Sequence, residues 1–168
     1  IDYDGAGEAP TPADLAQYVR PFLDNWDGKL ITEPGRVIAG PAGMLITRVV
    51  AIRERPDRTL LICDAGMNAL LRPALYGASH QVFRVGSGKA ETRRYDVVGP
   101  LCEAGDVLAE GAELPEIEVG DLLAVGQAGA YGYVMSSEYN ARPRPPQVWV
   151  EGDKWAVLSA RRTIRQML

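Results

Sequence analysis

Residues 45–63 read LITRVVAIRERPDRTLLIC. Leu45–Glu54 and Thr59–Cys63 are short runs rich in Val, Ile, Leu and Thr, residues that suit a pleated, half-buried surface. Arg55-Pro56-Asp57 separates them with turn-forming residues. The pattern repeats outward in His80–Val85, Glu91–Val98, Asp121–Val125, Gln147–Glu151 and Trp155–Ser159, with Gly86-Ser87-Gly88 as a further breaker. Short strands at this spacing predict an all-β barrel or sandwich. Ala160–Leu168 reads as a short closing helix, and no internal repeat is visible.

Upstream the character changes. Residues 4–11 are a loop rich in Gly, Pro and Ala. Thr11-Pro12 is a helix start, with a capping hydroxyl followed by proline at the first helical position. Asp14, three residues on, makes a variant of the capping box. Leu15, Tyr18, Val19, Phe22 and Leu23 form an amphipathic stripe, and Pro21 inside it should bend or shorten the helix. Lys29–Thr32 is a strand candidate running into the turn Glu33-Pro34-Gly35-Arg36. One αβ unit cannot bury its own faces. It should therefore belong to a larger α/β layer.

The chain of 168 residues suffices for one ordinary domain. Hydrophobic residues at 46% and charged residues at 24% mark a globular protein rather than a disordered tail. A net charge of −4 argues against nucleic acid as the main partner. No apolar run approaches the ~20 residues a membrane span needs. Cys63 and Cys102 are too few for a disulfide framework, so a reducing cytoplasm is expected. His80 is the single histidine, and no metal-ligand spacing exists. Ile1-Asp2-Tyr3-Asp4-Gly5 reads as the middle of a chain, and no signal peptide is visible in the sequence.

Four stretches mix Gly, Pro, Arg and acids more densely than simple turns require. In EPGR (33–36) a glycine lets backbone approach an anion and Arg36 adds charge; taken alone it better suits a tight turn with a surface salt bridge. In DAGMNALLRPALY (64–76) Arg72 and Tyr76 suit a ligand site or an ordinary loop, and His80 nearby is read as structural. In GPLCEAGD (99–106) Cys102 beside Glu103 is either a reactive thiol and proton donor or a small buried hydrophobe. Cys63, in an apolar strand, is read as buried. In AGAYG (128–132) small residues around Tyr131 admit a phosphate or ring, or simply flank a core tyrosine. After SSEYN (136–140), the prolines of Arg142-Pro143-Arg144-Pro145 predict a rigid, partly extended loop, and its arginines are read as solvated.

In order and spacing, EPGR, DAGMNALLRPALY, GPLCEAGD, GDLLAVGQAGAYG (120–132) and SSEYNARPRP resemble the diaminopimelate decarboxylase family over nearly all of residues 1–150. RPALY and the Cys102-Glu103 pair are specific within the wider group of fold-type-III decarboxylases. Related ornithine decarboxylases share EPGR and a cysteine loop but lack RPALY. Glu138 stands where the family usually has Asn, in a loop read as lying away from the chemistry. Arg161-Arg162 supplies the basic part of the family's tail, without the acids that usually follow.

The resemblance implies an eight-stranded α/β (TIM-type) barrel that binds pyridoxal phosphate, and a C-terminal β-barrel or sandwich domain. Residues 1–36 would end the barrel with its last helix and strand, and residues 37–168 would form the β domain. The glycine-rich phosphate loop and the cofactor lysine would lie ahead of Ile1, leaving the chain inactive by itself. Glu33 would pair with the pyridinium nitrogen, and Gly35, Arg36 and Tyr131 would hold the cofactor. Arg36, Arg72, Tyr76 and Tyr131 would bind the substrate's distal carboxylate end, and Glu103 its distal ammonium. Cys102 would donate the proton, with the cysteine and glutamate reaching the partner subunit's site in a homodimer. The implied reaction is meso-diaminopimelate to L-lysine plus CO2. A paralogue acting on ornithine or a carrier-bound glutamate, or a non-catalytic β-domain module, are the alternatives.

Overall fold

The computed structural model describes residues 1–3, 7, 9–86 and 91–168. The Ser87-Gly88 portion of the expected breaker, and most of the 4–8 stretch, lie outside the described residues. In chain order the elements are α1 (Pro12–Leu23), α2 (Gly35–Ala39), β1 (Leu45–Glu54), β2 (Thr59–Cys63), α3 (Arg72–Tyr76), β3 (Val82–Arg84), β4 (Thr92–Val98), β5 (Val107–Pro115), β6 (Leu122–Val125), β7 (Gln147–Glu151), β8 (Lys154–Ser159) and α4 (Ile164–Met167). The expected mainly-β architecture is observed as a nearly closed, barrel-like sheet.

Strand β1 shows why. Leu45, Thr47 and Val49 point inward and alternate with exposed Ile46, Arg48 and Val50, the period of 2 that a half-buried strand requires. Thr47 is tolerated inside because its hydroxyl donates to Asp64 at 2.7 Å and accepts from the Ala65 N–H at 3.0 Å. β1 pairs antiparallel with β2 and β6, β2 runs parallel to β4, and β5 and β3 form the edges in the order β3-β6-β1-β2-β4-β5. Val49, Leu61, Val97, Leu108, Leu123 and Val125 are fully buried, each worth roughly 1.5–3 kcal/mol of transfer free energy. Cys63 joins them, as expected; burial pushes its thiol pKa up to about 12. The seam between the edges is a cleft of about 770 Å³, walled by Ala78–Val82 and Val107–Glu113.

Two expectations are corrected, and one strand was not foreseen. β5 carried no strand expectation, because its alternation breaks at a bulge. Glu110 and Gly111 together oppose Asp96, Gly111 sits at φ +63°, and its N–H donates to the Asp96 carboxylate at 2.8 Å. Lys29–Thr32 forms no strand; among the described residues nothing pairs with it. The expected Glu33–Arg36 turn instead runs through Pro34 into α2.

α1 forms with its capping box: Thr11 accepts from the Asp14 N–H at 3.2 Å, and the Asp14 carboxylate accepts from Thr11 N–H at 2.8 Å. None of its residues is buried, and the stripe of Leu15, Tyr18 and Phe22 is exposed. β7 and β8 form a separate hairpin turning at Gly152, tied to the body by Tyr133 and Ser159, whose hydroxyls are 3.0 Å apart. Among the described residues no helix is long and apolar enough to cross a membrane.

Candidate active site

Three groups of polar side chains emerge from the loops at the sheet's margins. The first joins α2 to the loop after β6. Ala128 N–H donates to Gly43 O at 2.8 Å, and Gly129 N–H to Gly40 O at 3.1 Å. The approach demands glycine: a Cβ on Gly43 would lie 2.6 Å from the Gly129 Cα, and one on Gly129 would overlap the Ala39 carbonyl. Tyr131 follows at φ +64°, and the Arg36 guanidinium lies 5.2 Å above its ring. Glu33 and Gly35 are exposed beside this pair; a Cβ on Gly35 would meet nothing within 4 Å, so its backbone faces open space.

The second group centres on Arg72. RPALY, expected as loop, is the helix α3, with proline in its first turn and a left-handed Gly77 at φ +60° closing it. Gly77 N–H donates to Pro73 O at 2.9 Å. Arg72 is only 8% exposed. Its guanidinium lies 4.1 Å over the Tyr3 ring, and its Nη1 is 3.1 Å from His80 Nε2. Tyr76 is 64% exposed. His80 is buried as expected and contacts Gly126 O through Nδ1 at 2.9 Å.

The third group is the turn carrying Cys102 and Glu103. Its anchor is Asp106, which is buried and accepts from Leu101 N–H at 2.7 Å and Met67 N–H at 2.6 Å. Asp106 N–H donates to Glu103 O at 3.1 Å, closing the turn. Gly66 and Gly99 flank the carboxylate so closely that a Cβ on either would overlap it. Cys102 and Glu103 are thereby held exposed on a fixed turn. Tyr139 O–H donates to Glu103 at 3.3 Å, and the Glu103 charge raises the Tyr139 pKa. The loop read as lying away from the chemistry thus touches Glu103, one of the candidate residues. Arg142, expected to be solvated, donates to Asp64 O at 3.1 Å. Arg162 reaches Glu138 at 2.7 Å.

The residues singled out from sequence thus gather as Arg36 with Tyr131, Arg72 with His80, and Glu103 beside Cys102. Among the described residues no hydrogen bond or ring contact joins the three groups directly. Loop 126–131 links the first two, since Gly126 takes the His80 bond and Tyr131 meets Arg36. Sequence reasoning assigned no role to Asp106, Tyr3 or Tyr139. Asp106 was signalled by the glycines around it; nothing local marks Tyr3 or Tyr139.

The family model described as pyridoxal-dependent decarboxylase, C-terminal sheet domain, matches residues 3–129. The chain belongs to the pyridoxal-dependent decarboxylases. Over 165 residues it is 50% identical to a diaminopimelate decarboxylase of Archaeoglobus fulgidus, covering 94% of this chain and 39% of that protein. A diaminopimelate decarboxylase structure from M. jannaschi superposes with a TM-score of 0.92 at 37% identity, covering 99% of this chain and 39% of that one. A Helicobacter pylori diaminopimelate decarboxylase complexed with L-lysine gives 0.87 at 38% identity, covering 98% of this chain and 40% of that one. The chain therefore spans about two fifths of the length of these decarboxylases.

The first group fits the family's cofactor. A guanidinium over a tyrosine ring, beside open glycine backbone, suits the phosphate of pyridoxal phosphate. The exposed Glu33 carboxylate suits its ring nitrogen.

Proposed function

We propose that this chain is the C-terminal part of a diaminopimelate decarboxylase that converts meso-diaminopimelate to L-lysine and CO2. The observation that carries this reading is the 50% identity, over 94% of the chain, to a relative bearing that name. Residues 1–36 end the cofactor barrel and residues 37–168 form the β domain. The protein acts in the cytoplasm as a homodimer whose sites are shared between subunits.

Pyridoxal phosphate, when bound, supplies the electron sink for the carbanion that decarboxylation leaves. Glu33 keeps the ring nitrogen protonated. Gly35, Arg36 and Tyr131 hold the phosphate. Arg36, Arg72, Tyr76 and Tyr131 bind the end of the substrate that does not react, because a guanidinium fork matches a carboxylate. Glu103 takes the distal ammonium. Cys102 Sγ–H gives its proton to the carbon that has lost CO2. On this reading the cofactor lysine belongs to the barrel, and the 168 residues alone release no CO2. The test is CO2 release and L-lysine formation from meso-diaminopimelate by the product of the full reading frame. A product that decarboxylates ornithine in preference, or releases no CO2 from any diamino acid, overturns the proposal.

A further inference from the structure

We infer that His80 is a positioning residue that aims Arg72 at a carboxylate on the ligand's distal carbon. The inference rests on the proposed role of Arg72, and it adds how that arginine is held. Gly77 at φ +60° reverses the chain after α3 and returns residue 80 to the helix start, where Arg72 stands. The Gly126 carbonyl can only accept, so His80 Nδ1 at 2.9 Å carries the hydrogen. A guanidinium can only donate, so His80 Nε2 at 3.1 Å must be the bare nitrogen. A single form of the ring, neutral with hydrogen on Nδ1, satisfies both contacts.

Protonation would turn Nε2 into a donor facing another donor and place two cations together. Among the described residues no carboxylate makes a hydrogen bond or ion pair with the ring. Arg72 comes from α3, the Tyr3 ring stands edge-on at 5.0 Å, and Glu110 and Glu113 of β5 line the adjoining cleft. Burial, and then the Arg72 charge, lower the His80 pKa, while the Gly126 contact opposes them. Tyr3 supports the other side. Its carbonyl accepts from Gln81 N–H at 2.8 Å, fixing the ring on which the guanidinium lies at 4.1 Å. Arg72 is thus clamped by one face and by Nη1. Among the described residues no hydrogen bond uses Nε or Nη2, leaving that edge for a bidentate carboxylate. A fork already fixed in plane loses less freedom on binding.

L-lysine and 1,5-diaminopentane test this without turnover. Decarboxylation leaves the distal carbon untouched, so L-lysine keeps the carboxylate that Arg72 would hold, whereas 1,5-diaminopentane lacks it. Binding of both is measured by calorimetry on the full-length, cofactor-loaded enzyme. His80→Leu should weaken L-lysine roughly 10- to 100-fold, the range for losing a hydrogen bond to a charged group, and leave 1,5-diaminopentane unchanged. His80→Gln, which keeps an acceptor for Nη1, should recover most of that loss. The wild type should lose its preference for L-lysine as pH falls and His80→Gln should not, a readout that stands even where His80→Leu fails to fold. If Arg72→Ala weakens L-lysine selectively but neither His80 variant behaves as stated, the positioning role is wrong and the proposed function survives. If Arg72→Ala weakens both ligands equally, the distal-carboxylate reading itself is wrong.

Discussion

Cys63 and Cys102 show one functional group in two environments. Cys63 is sealed in the core with its pKa raised to about 12, so it is no acid or nucleophile near neutral pH. Cys102 stands exposed on a turn fixed by Asp106. Cys102→Ala in the full-length enzyme should lower kcat by roughly 10²–10⁴-fold with little change in KM, the range for a general acid that acts after binding. An unchanged kcat would leave Cys102 without a chemical role. His80 makes a stability prediction. Unfolded histidine takes up a proton near pH 6.5, and the buried ring resists it to lower pH. Between those values the unfolded state binds more protons, so stability should fall as pH drops below about 6.5 and stay flat above it. Melting temperatures across that range should show the slope in the wild type and a smaller one in His80→Gln; equal slopes would contradict it. The exposed candidates were legible because cysteine, arginine and glutamate stand out among glycines and prolines. Tyr3 and Tyr139 were not, nor was the pairing of His80 with Arg72, because Arg72 and Glu103, which these residues contact, lie 8 to 69 residues away along the chain.

At the scale of elements, the alternation of Leu45, Thr47 and Val49 was readable, since inward side chains repeat every second residue. The same rule failed at β5, where the Glu110-Gly111 bulge swaps faces mid-strand. It failed again at Lys29–Thr32, because a strand exists only by pairing. RPALY was missed as a helix because five residues carry too little periodicity, and the proline reads equally as a helix start or a loop. The glycine contacts could not be read at all, because the nearness of residues 39–43 to 126–129 is a tertiary fact. That contact can be tested. Gly129→Ala forces a methyl into the Ala39 carbonyl and should cost about 1–3 kcal/mol. It should also weaken cofactor binding, because the loop carrying Tyr131 must shift. Pyridoxal phosphate titration followed by absorbance would check this, and unchanged affinity would detach the loop from the cofactor.

For the molecule as a whole, the buried cluster lies among residues 45–125, while α1 has no buried residue and Leu15, Tyr18 and Phe22 of its apolar stripe are exposed. That imbalance is what a chain spanning about two fifths of its relatives would show if its first residues pack on a barrel formed by the rest. The central claim is that this β domain supplies a distal-carboxylate site for diaminopimelate. It is tested most directly by kcat/KM of the full-length enzyme for meso-diaminopimelate, lysine and ornithine, with and without Arg72→Ala. Lysine and ornithine, bound as substrates with their single carboxylate at the reacting end, would leave a buried guanidinium unmatched, and sites of that kind reject such analogues by roughly 10⁴-fold. The account predicts a strong wild-type preference for meso-diaminopimelate that collapses in Arg72→Ala through a steep rise in KM. A wild-type preference for ornithine, or an Arg72→Ala enzyme that turns over diaminopimelate unimpaired, would contradict it.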